Sequence, residues 1–134
     1  MTGDLRQHYL DYLTALDERR FEDLRRFVAP ELTYNGEPTT LQRYQQERRA
    51  EAETIPDLRY DVGLLVVEGD EVAARLEFDC TPTAPFLGRE PTGRRIRFVE
   101  HVFYRFERGL VVEVRSLLDV DAVRRQLGPA TADG

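Results

Sequence analysis

The sequence predicts an α+β fold, with helices in the N-terminal part followed by a run of antiparallel strands. The first observation is the spacing of apolar residues, which is helical through most of residues 5–54. The second is a change of period at residue 57, after which apolar and polar residues alternate along the chain. Helices that precede a run of strands are typical of the α+β class, in which the helices cover one face of a sheet.

Residues 5–27 are predicted to form two helices packed as a hairpin. Asp4 is of the residue type that caps a helix N-terminus, so we expect the first helix to begin directly after it. The apolar stripe is interrupted between Asp17 and Arg20, which separates the two helices. Pro30 is expected to end the second helix.

A third helix is predicted over residues 41–54, with Thr40 as its N-cap and Pro56 beyond its end. Before it, residues 31–34 are predicted to form a short strand. Residues 35–38, with the sequence Asn-Gly-Glu-Pro, are predicted to form a turn.

Four strands are predicted in the second half of the chain, joined by glycine-containing turns and a longer loop. Their residues are 58–67, 72–80, 95–106 and 110–119. One face of the first strand is expected to carry Leu58, Tyr60, Val62, Leu64 and Val66. A final helix over residues 122–127 is capped by Asp119 or Asp121, and residues 129–134 are expected to be a disordered tail.

Composition limits the classes of partner. The 134 residues carry 25 acidic and 19 basic side chains, a net charge of −6. Nucleic acids and anionic membranes require a basic surface, so we expect neither as a partner.

The single cysteine excludes an intrachain disulfide. Because the first residues also lack the apolar stretch of a signal peptide, we expect a cytoplasmic protein.

Glu100 is the most informative residue of the chain. It lies in the middle of the third predicted strand, on the same face as Ile96, Phe98, Val102 and Tyr104. An ionised carboxylate in apolar surroundings is unfavourable unless it is paired, hydrogen-bonded or neutralised by a raised pKa. The pattern therefore predicts a pocket in which Glu100 acts as an acid. The alternative is a structural carboxylate paired with an arginine or with a tyrosine of the first helix.

Two stretches of the chain resemble a known family. Residues 81–95, which contain Phe-Leu-Gly and Pro-Thr-Gly-Arg, resemble a loop of SnoaL-like ester cyclases, and residues 103–115 resemble the last hairpin of that group. The group belongs to the nuclear transport factor 2-like superfamily. The resemblance implies one domain over residues 1–128, with N-terminal helices packed into a strongly curved antiparallel sheet, a cone-shaped α+β barrel with a hydrophobic cavity.

The chain departs from that family at one position. SnoaL-like cyclases and related epoxide hydrolases place an aspartate on the last strand as acid or base, whereas this chain has Ser116 there. In this chain, a mechanism that relies on that aspartate therefore has no aspartate at the required position.

A distant resemblance to ketosteroid isomerase suggests roles for other residues. It places Tyr12 on the oxyanion-hole tyrosine, Asn35 where that family has its aspartate base, and Glu100 and His101 on the acid–histidine pair that supplies a second oxyanion donor. It implies that Tyr12 and Glu100 stabilise an oxyanion and that Asn35 orients the substrate or a water. Ordinary core packing for Tyr12 and turn chemistry for Asn35 are the alternatives.

Further residues are predicted to bind substrate, namely Tyr9, Tyr34, Tyr60, Phe78, Phe98, Tyr104 and Ser116. Four of them, Tyr60, Phe78, Phe98 and Tyr104, could instead be ordinary core residues. Tyr9 is the alternative to Tyr12, one helical turn away. The two histidines and one cysteine have no metal-ligand spacing, so we expect no metal site and no cofactor.

These observations lead to two hypotheses. The first is a cofactor-free isomerase or cyclase that acts on a small apolar carbonyl compound in a buried cavity. The second is a non-catalytic module of the same fold, which binds a hydrophobic ligand or serves as a dimeric scaffold. In both cases we expect a homodimer through the outer face of the sheet, because that face is half apolar. Its apolar residues are predicted to be Val99, Phe103, Val111 and Leu117.

Overall fold

The computed structural model describes residues 4–128 of the chain. Helices α1 (Leu5–Asp17), α2 (Leu41–Thr54) and α3 (Val120–Leu127) and one 3₁₀ helix (Phe21–Arg26) accompany six strands. The strands are β1 (Val28–Tyr34), β2 (Glu37–Thr40), β3 (Asp61–Glu68), β4 (Glu71–Cys80), β5 (Ile96–Glu107) and β6 (Leu110–Leu118). The predicted disordered tail lies outside the described residues.

The strands form one curled sheet in the order β2-β1-β6-β5-β4-β3. The predicted α+β fold is confirmed, but two details of it are wrong. The sheet is mixed, because β1 runs parallel to β6 while the other neighbours are antiparallel. It is also not closed into a barrel, because β2 and β3 are its two edges. A parallel pair needs a long connection, and the chain from β2 through α2 to β5 supplies it here.

The three α-helices follow their predicted caps. The side chain of Asp4 accepts a hydrogen bond from the backbone N–H of Gln7 at 3.3 Å, and that of Thr40 accepts from Arg43 at 3.2 Å. Asp119 is the N-cap of α3 and accepts from the backbone N–H of Ala122 at 3.1 Å. In each case a side-chain oxygen satisfies a backbone donor that the first turn leaves free.

The second predicted helix is only a 3₁₀ turn, and Pro30 does not end it. Phe21 and Leu24, three residues apart, are its buried residues, a spacing that suits three residues per turn. Backbone pairing with β6 begins at Val28, so Pro30 lies inside β1. Residues 37–40 were predicted to belong to a turn and to the N-cap of the third helix. They form strand β2 instead, which follows the turn at Asn35 and pairs with β1.

Two strands carry irregularities that reverse predicted faces. The pairing of β3 with β4 shifts between Val62 and Leu64, so Leu65 and Val67 pack against the core while Leu64 and Val66 are exposed. An extra residue in one strand of a pair moves every following side chain to the other face.

The second irregularity lies where β5 pairs with β6. The register shifts between Arg105 and Phe106, and Val111 is consequently buried with Val114 in the core. The prediction that Val111 lies on the outer face is therefore wrong.

The outer face of the sheet nevertheless exposes large apolar side chains. Phe103 is 59% exposed and Leu117 is 77% exposed, and Leu64 and Val66 of β3 join them. The homodimer expected from this face stays a prediction. Within residues 4–128, no helix has the length and apolar character needed to cross a membrane.

Candidate functional site

A cavity of about 410 Å³ lies between the inner face of the sheet, the C-terminal end of α2 and the loop between β4 and β5. Glu51 and Ile55 come from the α2 side, and Phe86 and Leu87 come from the loop. The strands contribute Phe78 from β4, Phe98 and Glu100 from β5, and Ser116 and Leu118 from β6. Its size is within the range of small-molecule sites.

One wall of the cavity is aromatic. The rings of Phe78 and Phe98 stack with their centroids 4.9 Å apart and an interplanar angle of 23°. Tyr60 meets Phe78 edge-on at 5.6 Å, and Phe86 lies 5.8 Å from Phe98. Such a wall can bind the flat, apolar part of a molecule through its ring faces.

The Phe-Leu-Gly sequence of the loop forms a tight turn at the cavity mouth. Phe86 and Arg89 exchange two backbone hydrogen bonds, of 2.9 and 3.0 Å, across this turn. Leu87 and Gly88, at its tip, have positive φ angles of 51° and 80°. The turn places the side chains of Phe86 and Leu87 over the cavity, which gives these motif residues a physical role.

Glu100 lies at the polar end of the cavity. The hydroxyl of Ser116, on the neighbouring strand, donates a hydrogen bond to Oε2 of Glu100. Burial raises the pKa of Glu100 above its ordinary value, while the hydrogen bond from Ser116 lowers it. The charge of Glu51 raises the pKa further and that of Arg48 lowers it, with a net effect upward. Glu100 is therefore an acid that retains its proton more readily than an exposed glutamate.

Asn35 borders the same cavity, but its amide is engaged by the backbone. Its Nδ2 donates to the carbonyl of Ser116 at 3.2 Å, and its Oδ1 accepts from the Ser116 N–H at 2.7 Å. Its own backbone N–H donates to the carbonyl of Val114 at 2.8 Å, with φ at 50°. Asn35 thus holds the end of β1 against β6 and fixes the position of Ser116.

Behind Glu100 lies a second, polar recess of about 30 Å³, a volume that suits one water molecule. Tyr34, Glu51, Tyr60 and Glu100 line both the recess and the cavity, so they form the boundary between them. The deeper wall of the recess includes Tyr12, Tyr44, Arg48 and Tyr104.

Three of these residues, Tyr44, Arg48 and Glu51, were not predicted from the sequence. Nε of Arg48 lies 2.9 Å from Oε1 of Glu51, and the Arg48 guanidinium lies 4.6 Å from the ring centroid of Tyr44. Burial lowers the pKa of Arg48, but Glu51 and the neighbouring tyrosines raise it well above its ordinary value, so it stays charged. The signal was their spacing with Ile55, which places all four on one stripe of α2.

The structure separates the predicted site residues into three groups. The cavity is lined by Glu100, Asn35, Tyr34, Tyr60, Phe78, Phe98 and Ser116. Tyr12 and Tyr104 line only the recess, where the Tyr12 and Tyr44 hydroxyls are hydrogen-bonded to each other. Tyr9 lines neither space and packs in the core, its ring centroid 5.0 Å from that of Tyr104.

His101 lies on the exposed outer face, where its Nε2 is 2.9 Å from Nη1 of Arg75. In the part of the chain that the structure describes, no group of three or more His, Cys, Asp or Glu side chains could hold a metal ion.

The fold and the site define a class of small α+β domains in which a cavity lies between a curled sheet and its covering helices. The family model for SnoaL-like polyketide cyclases matches residues 6–127, and the chain therefore belongs to that family.

Solved structures agree with this assignment. A SnoaL-like polyketide cyclase from Agrobacterium tumefaciens is 41% identical, with a TM-score of 0.90 over 95% of this chain and 100% of that chain. TsrD from Streptomyces laurentii is 28% identical, with a TM-score of 0.83 over 92% of this chain and 93% of that chain. No protein of curated function matches the chain.

Proposed function

We propose that the protein is an acid/base enzyme, an isomerase or cyclase, that acts on a small apolar carbonyl compound bound in the cavity. The observation that carries the proposal is the position of Glu100, a carboxyl of raised pKa at the polar end of a cavity with aromatic walls. A buried acid of this kind is typical of sites that move protons. Membership of a cyclase family supports the same class of reaction.

The geometry suggests how a substrate would lie. Its apolar body would pack against Phe78 and Phe98, and its carbonyl oxygen would face Glu100. A protonated Glu100 donates a hydrogen bond to that oxygen and stabilises the negative charge that develops when a neighbouring carbon loses its proton. Ser116 holds the carboxyl in this orientation. The resulting enolate can be reprotonated elsewhere or can attack a second carbonyl group.

Tyr12 has a less direct role in this proposal than the sequence suggested. Its hydroxyl is committed to Tyr44 in the recess. Burial raises the pKa of Tyr12, so the hydroxyl stays protonated and can act as a donor. Tyr12 therefore lies on the recess side of the residues that separate the recess from the cavity.

A panel of enones, polyketide esters and epoxides tests the proposal. Glu100→Ala should reduce turnover by about 10²–10³, the usual effect of removing one oxyanion donor. Glu77→Ala is the matched control, because Glu77 is an exposed glutamate on the neighbouring strand β4. A loss below about threefold for Glu100→Ala would exclude Glu100 as the catalytic acid, since a single donor is worth far more.

A non-catalytic, ligand-binding module is the second candidate, and the site gives one reason to keep it. Ser116 occupies the position of the expected aspartate, and the amide of Asn35 is used in backbone pairing. Tight binding of panel compounds without turnover would support this candidate over the enzyme.

A further inference from the structure

We propose that Glu51 is the base of the site, which takes the proton from the substrate carbon while Glu100 binds the carbonyl oxygen. The inference rests on the proposed function, for which the base was unassigned. It follows from the arrangement of two carboxyls on one cavity, only one of which has a cationic partner.

Glu51 is fixed in place by two residues. Nε and Nη2 of Arg48 lie 2.9 and 3.3 Å from its two carboxylate oxygens, and the hydroxyl of Tyr60 donates to Oε1 at 3.4 Å. The Arg48 side chain is only 11% exposed, whereas that of Glu51 is 43% exposed. Glu51 also lines the cavity, the space in which a substrate would lie.

Glu100 has a different environment. Its side-chain partner is the Ser116 hydroxyl, and within residues 4–128 no arginine forms an ion pair with it. An ion pair with a guanidinium favours the charged form of a carboxyl. Glu51, which has such a partner, is therefore the proton acceptor, and Glu100, whose partner is a hydroxyl, is the proton donor.

The reaction is balanced with these two groups alone. The C–H bond next to the carbonyl breaks, the proton moves to Glu51, and the electron pair moves onto the carbonyl oxygen, to which Glu100 donates a hydrogen bond. In an isomerisation, Glu51 returns the proton to a different carbon. In a cyclisation, the enolate carbon forms a bond to a second carbonyl carbon, whose oxygen takes the proton. Glu51 and Glu100 both end in their starting states.

The choice of a carboxylate as the base also limits the substrate. A carboxylate is a weak base compared with an enolate. It suits carbon acids whose proton is already acidified by a second carbonyl group or by an aromatic ring on the same carbon.

Deuterium uptake into β-tetralone, followed by proton NMR, tests the assignment, because this apolar ketone has an acidified benzylic position. Glu51→Gln should lower kcat by at least about 100-fold, as expected for loss of a general base, with little change in KM. It should also remove the acidic limb of the rate–pH profile, a change that a structural role would not produce. Glu53→Gln, at an exposed position of α2, is the matched control and should behave like the wild-type protein.

Glu51→Gln leaves Arg48 buried without its partner and could unfold the protein. The double variant Arg48→Met with Glu51→Gln removes both charges together and should lose deuterium uptake as well. Wild-type uptake that is lost in Glu100→Gln but kept in both Glu51 variants would overturn the assignment of Glu51 alone. Absence of uptake by the wild-type protein for β-tetralone and every ketone of the panel would overturn the proposed function and this inference together.

Discussion

Glu100→Gln is expected to change how the stability of the protein depends on pH. Burial raises the pKa of Glu100 in the folded protein above its ordinary value of 4.5, which the unfolded chain retains. Between these two values the folded state binds more protons than the unfolded state. Its contribution to stability is therefore fully present below about pH 4.5 and is lost as the pH rises through the folded pKa. Glutamine does not titrate, so the variant should not show this loss.

The size of the change in unfolding free energy follows from the shift in the pKa of Glu100. Each unit by which the folded pKa exceeds the unfolded pKa corresponds to about 1.4 kcal/mol of unfolding free energy at high pH. The hydrogen bond from Ser116 and the charge of Arg48 reduce the shift, and burial and Glu51 increase it. The variant should therefore gain stability relative to the wild-type protein as the pH increases, and the gain should level off above the folded pKa.

Urea denaturation followed by far-ultraviolet circular dichroism, at a series of values from about pH 4 to pH 8, measures this difference. Equal denaturant slopes for the two proteins would show that the denatured states are comparable. Glu77→Gln, on the exposed face of β4, is the control for the loss of a glutamate carboxyl outside the cavity. A constant difference for Glu100→Gln as well, or one that shrinks as the pH rises, would refute the reasoning.

Three further predictions concern the site and the surface. Ser116→Ala should raise the pKa of Glu100, because it removes a hydroxyl that stabilises the carboxylate, whereas Ser116→Thr should not; carbon NMR of labelled glutamate distinguishes them. Phe98→Ala should lower the unfolding free energy by about 3 kcal/mol. This is the lower end of the range for Phe→Ala substitutions in a core, because one face of the ring lines the cavity. A loss below about 1 kcal/mol would contradict this packing. The wild-type protein should be a dimer and Phe103→Arg a monomer by size-exclusion chromatography with light scattering, and a wild-type monomer at micromolar concentration would refute the predicted interface.

The parts of the fold that depend on local sequence were predictable. Helix α2 has the predicted bounds because Thr40 caps its first turn and no helical pattern continues past Thr54. Asp4 and Asp119 act in the same way at α1 and α3. In each case the signal and the structure it determines lie within a few residues of each other.

The parts that depend on distant residues were not predictable. The parallel pairing of β1 with β6 joins residues from the two ends of the domain. The shift in β3 lies at Gly63, and a glycine inside a strand is a local sign of a bulge that strict alternation ignores. The shift between β5 and β6 has no such mark, and it reverses the predicted face of Val111. Strict alternation therefore predicts the wrong face beyond each irregularity.

The same distinction between local and distant signals applies to the residues of the candidate site. Glu100 was found because alternation along a regular strand is enough to place a carboxyl on an apolar face. Arg48 and Glu51 were missed because α2 is polar almost all around, and such a helix is usually a solvated one. The spacing of these two residues with Tyr44 and Ile55 becomes informative once Tyr44 and Ile55 are seen to pack against the core.

The ionisation constant of Glu100 tests the central claim most directly. It is measured by carbon NMR on protein labelled in its glutamate carboxyl groups, with the signal assigned by Glu100→Gln. A protonated acid in a desolvated cavity predicts a pKa clearly above the ordinary value of 4.5. A value at or below 4.5 would contradict the account, because it would show a solvated or cation-paired carboxylate that is ionised at neutral pH.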